Sequence, residues 1–402
     1  METEEKKEFP TKEEQEALLG EFGLPRLFKK INNILREYMD MKEEYYSLIS
    51  LWIIGTYLHK QFSSYPYLFF NAMKGSGKTR MLKIIANLSK NGSLVGSMTE
   101  AVLFRTAYNR TLCIDEFENV NSKGQENLGL LLNSAYKKGC DVERMAKKRT
   151  FEGEKQEVER YKVYCPLALA NIKGMENVLA DRCISVILEK SSNPKITKLI
   201  ENFENDKEFQ EIRGGLLRLT EKFSDDLNYF GDIFNKWNSF QKQEILDKDN
   251  NFSELFSKID KTNIQGRDLE LFFPLFIIAD MCGKDILDNT LEISQKIVEE
   301  KRQQDREENM DIKIYEFVAQ YKIESYVAVS TLVEDFKDYT ELKDEWINAR
   351  YFGKGLRRLN LVLHEKRTSA KRQVKLNIEK AKEKSKMFGN KDHDFSDLDE
   401  VL

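Results

Sequence analysis

The chain has 402 residues, of which 41% are hydrophobic and 33% charged, with six prolines and a net charge of -4. That length predicts two or three domains, and that composition excludes disordered, fibrous and collagen-like chains in favour of a helix-rich globular protein. Five scattered cysteines with no C-x-x-C pair, and three histidines distant from them, argue against a zinc site or a disulfide framework and fit a reducing cytoplasm.

The first residues, METEEKKEF, are acidic and lack an apolar run, so no secretion signal is expected. Residues 1–45 are charged and helix-forming, with Leu27, Ile31, Ile34 and Leu35 at helical spacing. The most apolar run, Leu48–Leu58, is too short to cross a bilayer and predicts a buried helix, so no membrane partner is expected. Pro66 precedes a strand at Tyr67–Phe70, a loop over Asn71–Gly77 and a helix from Lys78 to about Leu88. Further strands are expected near Thr111–Ile114, Cys165–Ala170 and Cys183–Leu188, with a helix around Gln125–Lys138. Strands separated by helices predict an α/β fold whose parallel sheet is flanked by helices.

From Ser191 to about 305 the sequence is almost all helix-forming. The run Lys301–Glu308 (KRQQDREE) has no apolar residue and predicts an exposed link. Residues 311–378 form a further unit of helices with two short strand candidates, near Leu361–His364 and Val374–Leu376. The end, Asp392–Leu402, carries five acidic residues and reads as a disordered tail.

The segment YLFFNAMKGSGKTR carries the clearest chemistry. An apolar strand ends, a glycine-bearing loop over Ala72, Met73, Lys74, Gly75, Ser76 and Gly77 turns, and a helix begins at Lys78. Two glycines let successive backbone N–H groups curl toward phosphate oxygens, and the helix N-terminus adds its positive dipole end. Lys78 reaches the β- and γ-phosphates of ATP, the Thr79 hydroxyl holds Mg2+, and Arg80 follows within the same cradle. The full phosphate-loop pattern has glycine where this chain has Ala72, which puts the strength of nucleotide binding in question. Thr111–Glu116 (TLCIDE) places two carboxylates directly after a short apolar strand. Neighbouring parallel strands end at one crevice, so Asp115 is expected beside the loop as a Mg2+ ligand and Glu116 as the group that polarises the attacking water. Asn171, at the end of another strand, either touches the γ-phosphate or caps the next turn. Arg182, just before an apolar strand, is either an arginine that stabilises γ-phosphate charge or a member of an ordinary ion pair.

Together these pieces resemble the AAA+ ATPases, and within them the replicative, helicase-like ATPases of plasmids, phages and integrated mobile elements. The resemblance covers about 46–285 and rests on LWIIGTYLHKQFSSYPYLFF, NAMKGSGKT, TLCIDE, LLNSAYKKGCDVER, LALANI, LADRCISVIL and GRDLELFFPLFIIADMCG. It implies a nucleotide-binding core at 46–190 after an N-terminal helical region at 1–45, and a helical lid at 191–305. It also implies a homo-oligomeric ring, commonly a hexamer, with Arg182 acting in trans. Arg267 becomes either a second sensor arginine of the lid or a partner of Glu270 on its own helix. A hairpin within Val142–Tyr164, with Lys147, Lys148 and Arg149, either lines a DNA channel or is a solvated charged hairpin.

Arg350–Lys386 holds 13 Lys or Arg and three acidic residues on an otherwise acidic chain. Its helix and two strands joined by a basic turn resemble the winged helix that closes many mobile-element helicases, over 306–378, with the tail at 379–402. Arg350, Lys354, Arg357 and Arg358 then ride the recognition helix, and Lys366, Arg367, Lys371 and Arg372 the wing, as contacts to DNA phosphates; the alternative is a solvated basic face that aids solubility. The function expected is a DNA-dependent ATPase, a helicase or helicase-like replication protein, with ATP and Mg2+ as cofactors and DNA as partner. No nuclease or primase constellation is visible, so priming falls to a partner. The rival readings are an ATP-gated loader or switch that does not unwind, and a DNA-binding regulator with a degenerate loop.

Overall fold

The computed structural model describes residues 23–96, 99–115, 126–150, 153–171, 177–225, 233–242, 252–322, 325–367 and 372–388. The chain divides into two compact units, Met1–Gln295 and Lys296–Leu402.

The first unit opens with two helices, α1 (Leu24–Tyr38) and α2 (Glu43–Gly55). The run expected as one helix to Leu58 stops at Gly55 and continues as a 3-10 turn, His59–Gln61. Gly55 is required there, because a Cβ would lie 2.1 Å from the Tyr65 hydroxyl and 2.7 Å from Ile278 Cδ1. The alternating part follows as β1 (Tyr67–Ala72), α3 (Lys78–Leu88), β2 (Gly92–Val95), α4 (Glu100–Thr106), β3 (Thr111–Ile114) and α5 (Glu126–Ala135). A long hairpin, β4 (Val142–Thr150) and β5 (Gly153–Tyr161), precedes β6 (Leu167–Asn171), α6 (Asn177–Ala180) and β7 (Cys183–Leu188). The first, third, sixth and seventh strands match the sequence reading closely, whereas the half-buried β2 and α4 carry too weak a pattern to have been read.

All five strands of the main sheet run parallel, in the order β2-β3-β6-β1-β7. Phe69, Ile114 and Leu169 stand in register and therefore share one face, where they pack with Leu103, Phe104, Leu131 and Leu132. The apolar side of α3 (Met81, Leu82, Ile84, Ile85, Leu88) lies outside that cluster and packs over β2, β3 and β6. Near-continuous apolar runs in β1, β3 and β6 are what a strand covered on both faces requires.

After β7 the first unit is helical: α7 (Pro194–Thr197), α8 (Lys207–Asp225), α9 (Ile233–Gln241), α10 (Ser253–Asp260), α11 (Gly266–Cys282) and the start of α12 (Lys284–Glu308). Within the unit α8 packs against α1 and α3, and α11 against α1 and α2. The polar run Lys301–Glu308, expected as an exposed link, is the last part of α12. Straight-chain charged residues are good helix formers, so the lack of apolar residues there does not end the helix.

In the second unit, α13 (Met310–Gln320) leads to β8 (Val327–Ala328), α14 (Val329–Thr340), α15 (Ala349–Arg358), β9 (Val362–Arg367), β10 (Arg372–Leu376) and α16 (Ile378–Phe388). Its small antiparallel sheet has the order β8-β10-β9. Phe317, Phe336, Phe352 and Leu356 centre its core. No helix among the described residues is long and apolar enough to cross a membrane.

Candidate functional site

The crevice of interest lies where β1, β3 and β6 end in the first unit. β1 does not stop at Phe70: Asn71 pairs with Asn171 and Ile187, and Ala72 with Leu188, so the first two residues of the expected loop belong to the strand. Ala72 is 5% exposed and does not take a positive φ. The chain therefore needs no glycine there, which is the physical reason alanine fits. The left-handed turns fall later, at Gly75 (φ 82°) and Gly77 (φ 87°), where a side chain would be strained. At Gly77 a Cβ would also meet Met39 Cε at 3.2 Å. Ser76 is buried and closes the loop on itself, its backbone N–H and hydroxyl both donating to the Met73 carbonyl.

Lys78 is the first residue of α3, with Gly77 as its N-cap, so the helix dipole points into the loop. Thr79 Oγ1 donates to Asp115 Oδ2 at 2.6 Å. Asp115 is held in place by its own backbone, whose N–H donates to the Val95 carbonyl and extends the β2–β3 ladder. Two hard oxygen ligands from elements far apart in sequence thus meet at the strand ends. Among the described residues no group of three or more His, Cys, Asp or Glu is arranged to hold a metal ion. Any cation here takes Thr79, Asp115 and oxygens supplied by water or phosphate, a donor set that suits magnesium. Asn171 is buried at the end of β6, in register with the exposed Asn71, a residue that sequence reasoning passed over because nothing local marks it.

Other expected site residues are placed elsewhere. Arg80 turns its guanidinium away from the loop: it donates to the carbonyls of Tyr38, Ile196 and Leu199 and to Glu201, and so fastens the segment after β7 onto α3. Lys74 is exposed on the loop. Arg182 and Arg267 stand at the opposite end of the sheet. The Arg182 carbonyl accepts from Tyr67 N–H at the start of β1, and its Nε donates to the Asn133 carbonyl. Both guanidinium groups lie over the Tyr136 ring, at 5.3 Å for Arg182 and 4.9 Å for Arg267. Arg267 also donates to the Tyr136 hydroxyl and pairs with Glu270 at 2.9 Å and Asp181 at 3.6 Å. The length of β1, at about 3.3 Å per residue, puts roughly 15 Å between this cluster and the phosphate loop of the same chain. Of the two readings for Arg267, the contact with Glu270 on its own helix is present. Tyr136 had no sequence signal beyond a lone aromatic in LLNSAYKKG.

Glu116 lies outside the described residues. Lys147, Lys148 and Arg149 lie on β4, opposite Gln156, Lys155 and Glu154 of β5, and their side chains lie outside the described residues. At the base of the hairpin Arg144 is paired with Glu100.

In the second unit, Arg350, Lys354, Arg357 and Arg358 are exposed on α15, whose N-terminus is capped by the Asn348 side chain. Close packing of α15 depends on Gly355, where a Cβ would come within 3.0 Å of Ile314 Cδ1. Arg350, Lys354 and Arg367 have no acidic partner among the described residues, whereas Arg357 and Arg372 pair with Glu365 and Arg358 pairs with Asp311. Lys366 lies over the Tyr326 ring at 4.0 Å. Lys371 is outside the described residues.

No protein-family model and no curated protein matches the sequence. Among solved structures the chain is similar to a JCV helicase bound to a thiazolopyridine-phenoxyphenyl acetamide, with 17% identity, 61% of this chain and 71% of that chain covered, and a TM-score of 0.25. A second inhibitor-bound JCV helicase shares 16% identity over the same proportions at a TM-score of 0.23. Drosophila ORC bound to DNA shares 10% identity over 95% of both chains at a TM-score of 0.22. All three likenesses are loose, and the site described above stands on this chain's own residues.

Proposed function

We propose that this chain is a DNA-dependent ATPase of the AAA+ type, acting as a replicative helicase or helicase-like protein. The observation that carries the reading is the Thr79–Asp115 hydrogen bond of 2.6 Å, which joins the hydroxyl after the loop lysine to the carboxylate at a neighbouring strand end. That pairing of a phosphate loop with a strand-end acid fits Mg2+ bound together with ATP, where the ion neutralises charge on the β- and γ-phosphates. The chain's own residues then have distinct tasks. The turns at Gly75 and Gly77 curve the loop so that its backbone N–H groups, other than that of Ser76, which donates to the Met73 carbonyl, can face phosphate oxygens. Lys78 supplies a cation, Thr79 and Asp115 would hold Mg2+, and Asn171 offers an amide at the same crevice. Glu116 as the group that orients the attacking water is an assignment from sequence. Arg182, remote from its own loop, acts in this reading on nucleotide held by a neighbouring subunit of a ring.

The order helix, strand, helix, helix, strand, strand in the second unit supports reading it as a winged helix, with α15 presented to DNA. Arg350, Lys354 and Arg367 are ready for phosphate, since no carboxylate among the described residues holds them. The mobile-element assignment and a primase partner rest on the sequence resemblance alone.

The deciding measurement is ATP hydrolysis by the full chain, with and without single- and double-stranded DNA, beside Lys78→Ala. Turnover stimulated by DNA and abolished in the variant is the expected result. Turnover indifferent to DNA moves the reading to a loader or switch, and ATP binding without turnover overturns it.

A further inference from the structure

On the exposed side of the second unit a single carboxylate holds two arginines. Glu365 of β9 is ion-paired with Arg357 of the last turn of α15, 3.2 Å away, and accepts a hydrogen bond from Arg372 at the start of β10. The register sets Val374 opposite Glu365 and Arg372 opposite Arg367, so Glu365 and Arg372 meet diagonally across the strand pair. Guanidinium groups from a helix and from a strand thus converge on one oxyanion. This happens in a stretch with 13 basic and only three acidic residues.

Folding does not explain the arrangement. The three side chains are 45%, 44% and 32% exposed for Arg357, Arg372 and Glu365, and ion pairs that exposed contribute only ~0–1 kcal/mol. The unit is held by its apolar core, to which none of the three belongs. The chemical class that two convergent guanidinium groups recognise is a carboxylate or a phosphate oxygen.

We infer that Glu365 is a built-in competitor for DNA phosphate: it occupies an anion site that Arg357 and Arg372 would otherwise offer to the DNA backbone. The inference rests on the DNA-binding reading of this unit and adds a limit to it. The carboxylate removes two of the phosphate contacts that the face could make, so affinity stays below what the basic charge alone would give. Arg350 and Lys354 remain available throughout and provide the basal attraction.

The test is binding of a fluorescein-labelled DNA duplex by the full chain, followed by anisotropy between about 50 and 200 mM salt. Glu365→Gln is compared with the wild type, with Glu379→Gln, which removes the same charge from α16, and with a double Arg350→Ala, Lys354→Ala variant. Glu365→Gln is expected to bind several-fold more tightly, with a slope of log K against log salt steeper by up to about 1.8 for two added contacts. Glu379→Gln is expected to change affinity far less. Equal or weaker binding by Glu365→Gln, or equal tightening by Glu379→Gln, overturns the inference. If the wild type binds and the Arg350, Lys354 double variant does not, such a result leaves the DNA-binding reading standing. Absence of binding by every protein removes that reading and the inference with it.

Discussion

His59 provides a quantitative test of the first unit's core. The ring is 3% exposed, its Nδ1 lies 2.7 Å from the Thr56 carbonyl, and its Nε2 is buried with no hydrogen-bond partner among the described residues. Burial holds its pKa down from 6.5 to about 4, with the nearby charges of Lys60, Lys90 and Lys138 acting in the same direction against the helping Thr56 carbonyl. Between those two values the unfolded chain binds a proton that the folded chain refuses. Stability from this residue is therefore complete above about pH 6.5 and is lost as pH falls toward 4. At 1.36 kcal/mol per pKa unit the loss amounts to about 2 kcal/mol by pH 5 and about 3 kcal/mol by pH 4. For a unit of this size that corresponds to a fall in Tm on the order of 3–5 °C from this group. Calorimetry of wild type and His59→Asn at pH 7 and pH 5 isolates it, because every other titrating group is shared. The variant is expected to be less stable at pH 7 but to lose less on acidification. Identical pH dependence in the two proteins would refute the assignment of a neutral, buried ring.

Two further outcomes follow from individual contacts. Thr79→Val keeps the shape of the side chain but removes the oxygen that meets Asp115, so turnover should fall on the order of 100-fold or more, with the thermal stability of the chain nearly unchanged. A steady-state ATPase assay beside a melt separates the two effects, and retained turnover would show that the Thr79–Asp115 contact has no part in catalysis. Gly55→Ala places a methyl group against the Tyr65 hydroxyl, which itself donates to the Trp52 carbonyl at 2.7 Å. It should cost about 3 kcal/mol or more by overpacking, and Tyr65→Phe in the same chain should recover part of it; additive losses in a double-mutant cycle would sink the contact.

Much of the nucleotide crevice was legible in the linear sequence because its parts are local. The apolar strand, the two glycines, the helix start at Lys78 and the strand that ends at Asp115 each follow from residue type and spacing within a few positions. The concentration of lysine and arginine after Arg350 is likewise a property of composition. The run Lys301–Glu308, read only as an exposed link, is helical, because charged straight-chain residues continue a helix.

What tertiary structure decided is where each side chain spends its charge. Arg80 sits beside the phosphate-binding lysine in sequence, yet it is consumed by carbonyls and a carboxylate more than a hundred positions away. Arg182 and Arg267 flank one tyrosine at the far end of the sheet, an arrangement that depends on α5, β7 and α11 being brought together. Ala72 is acceptable because strand pairing, not the loop, sets its backbone. Glu365 looks like one dissenting charge in a basic run until β9, β10 and α15 close around it. Backbone conformation is encoded by neighbours in sequence, whereas the partner of a long charged side chain depends on which strands and helices lie within a few ångströms, and only the assembled fold determines that.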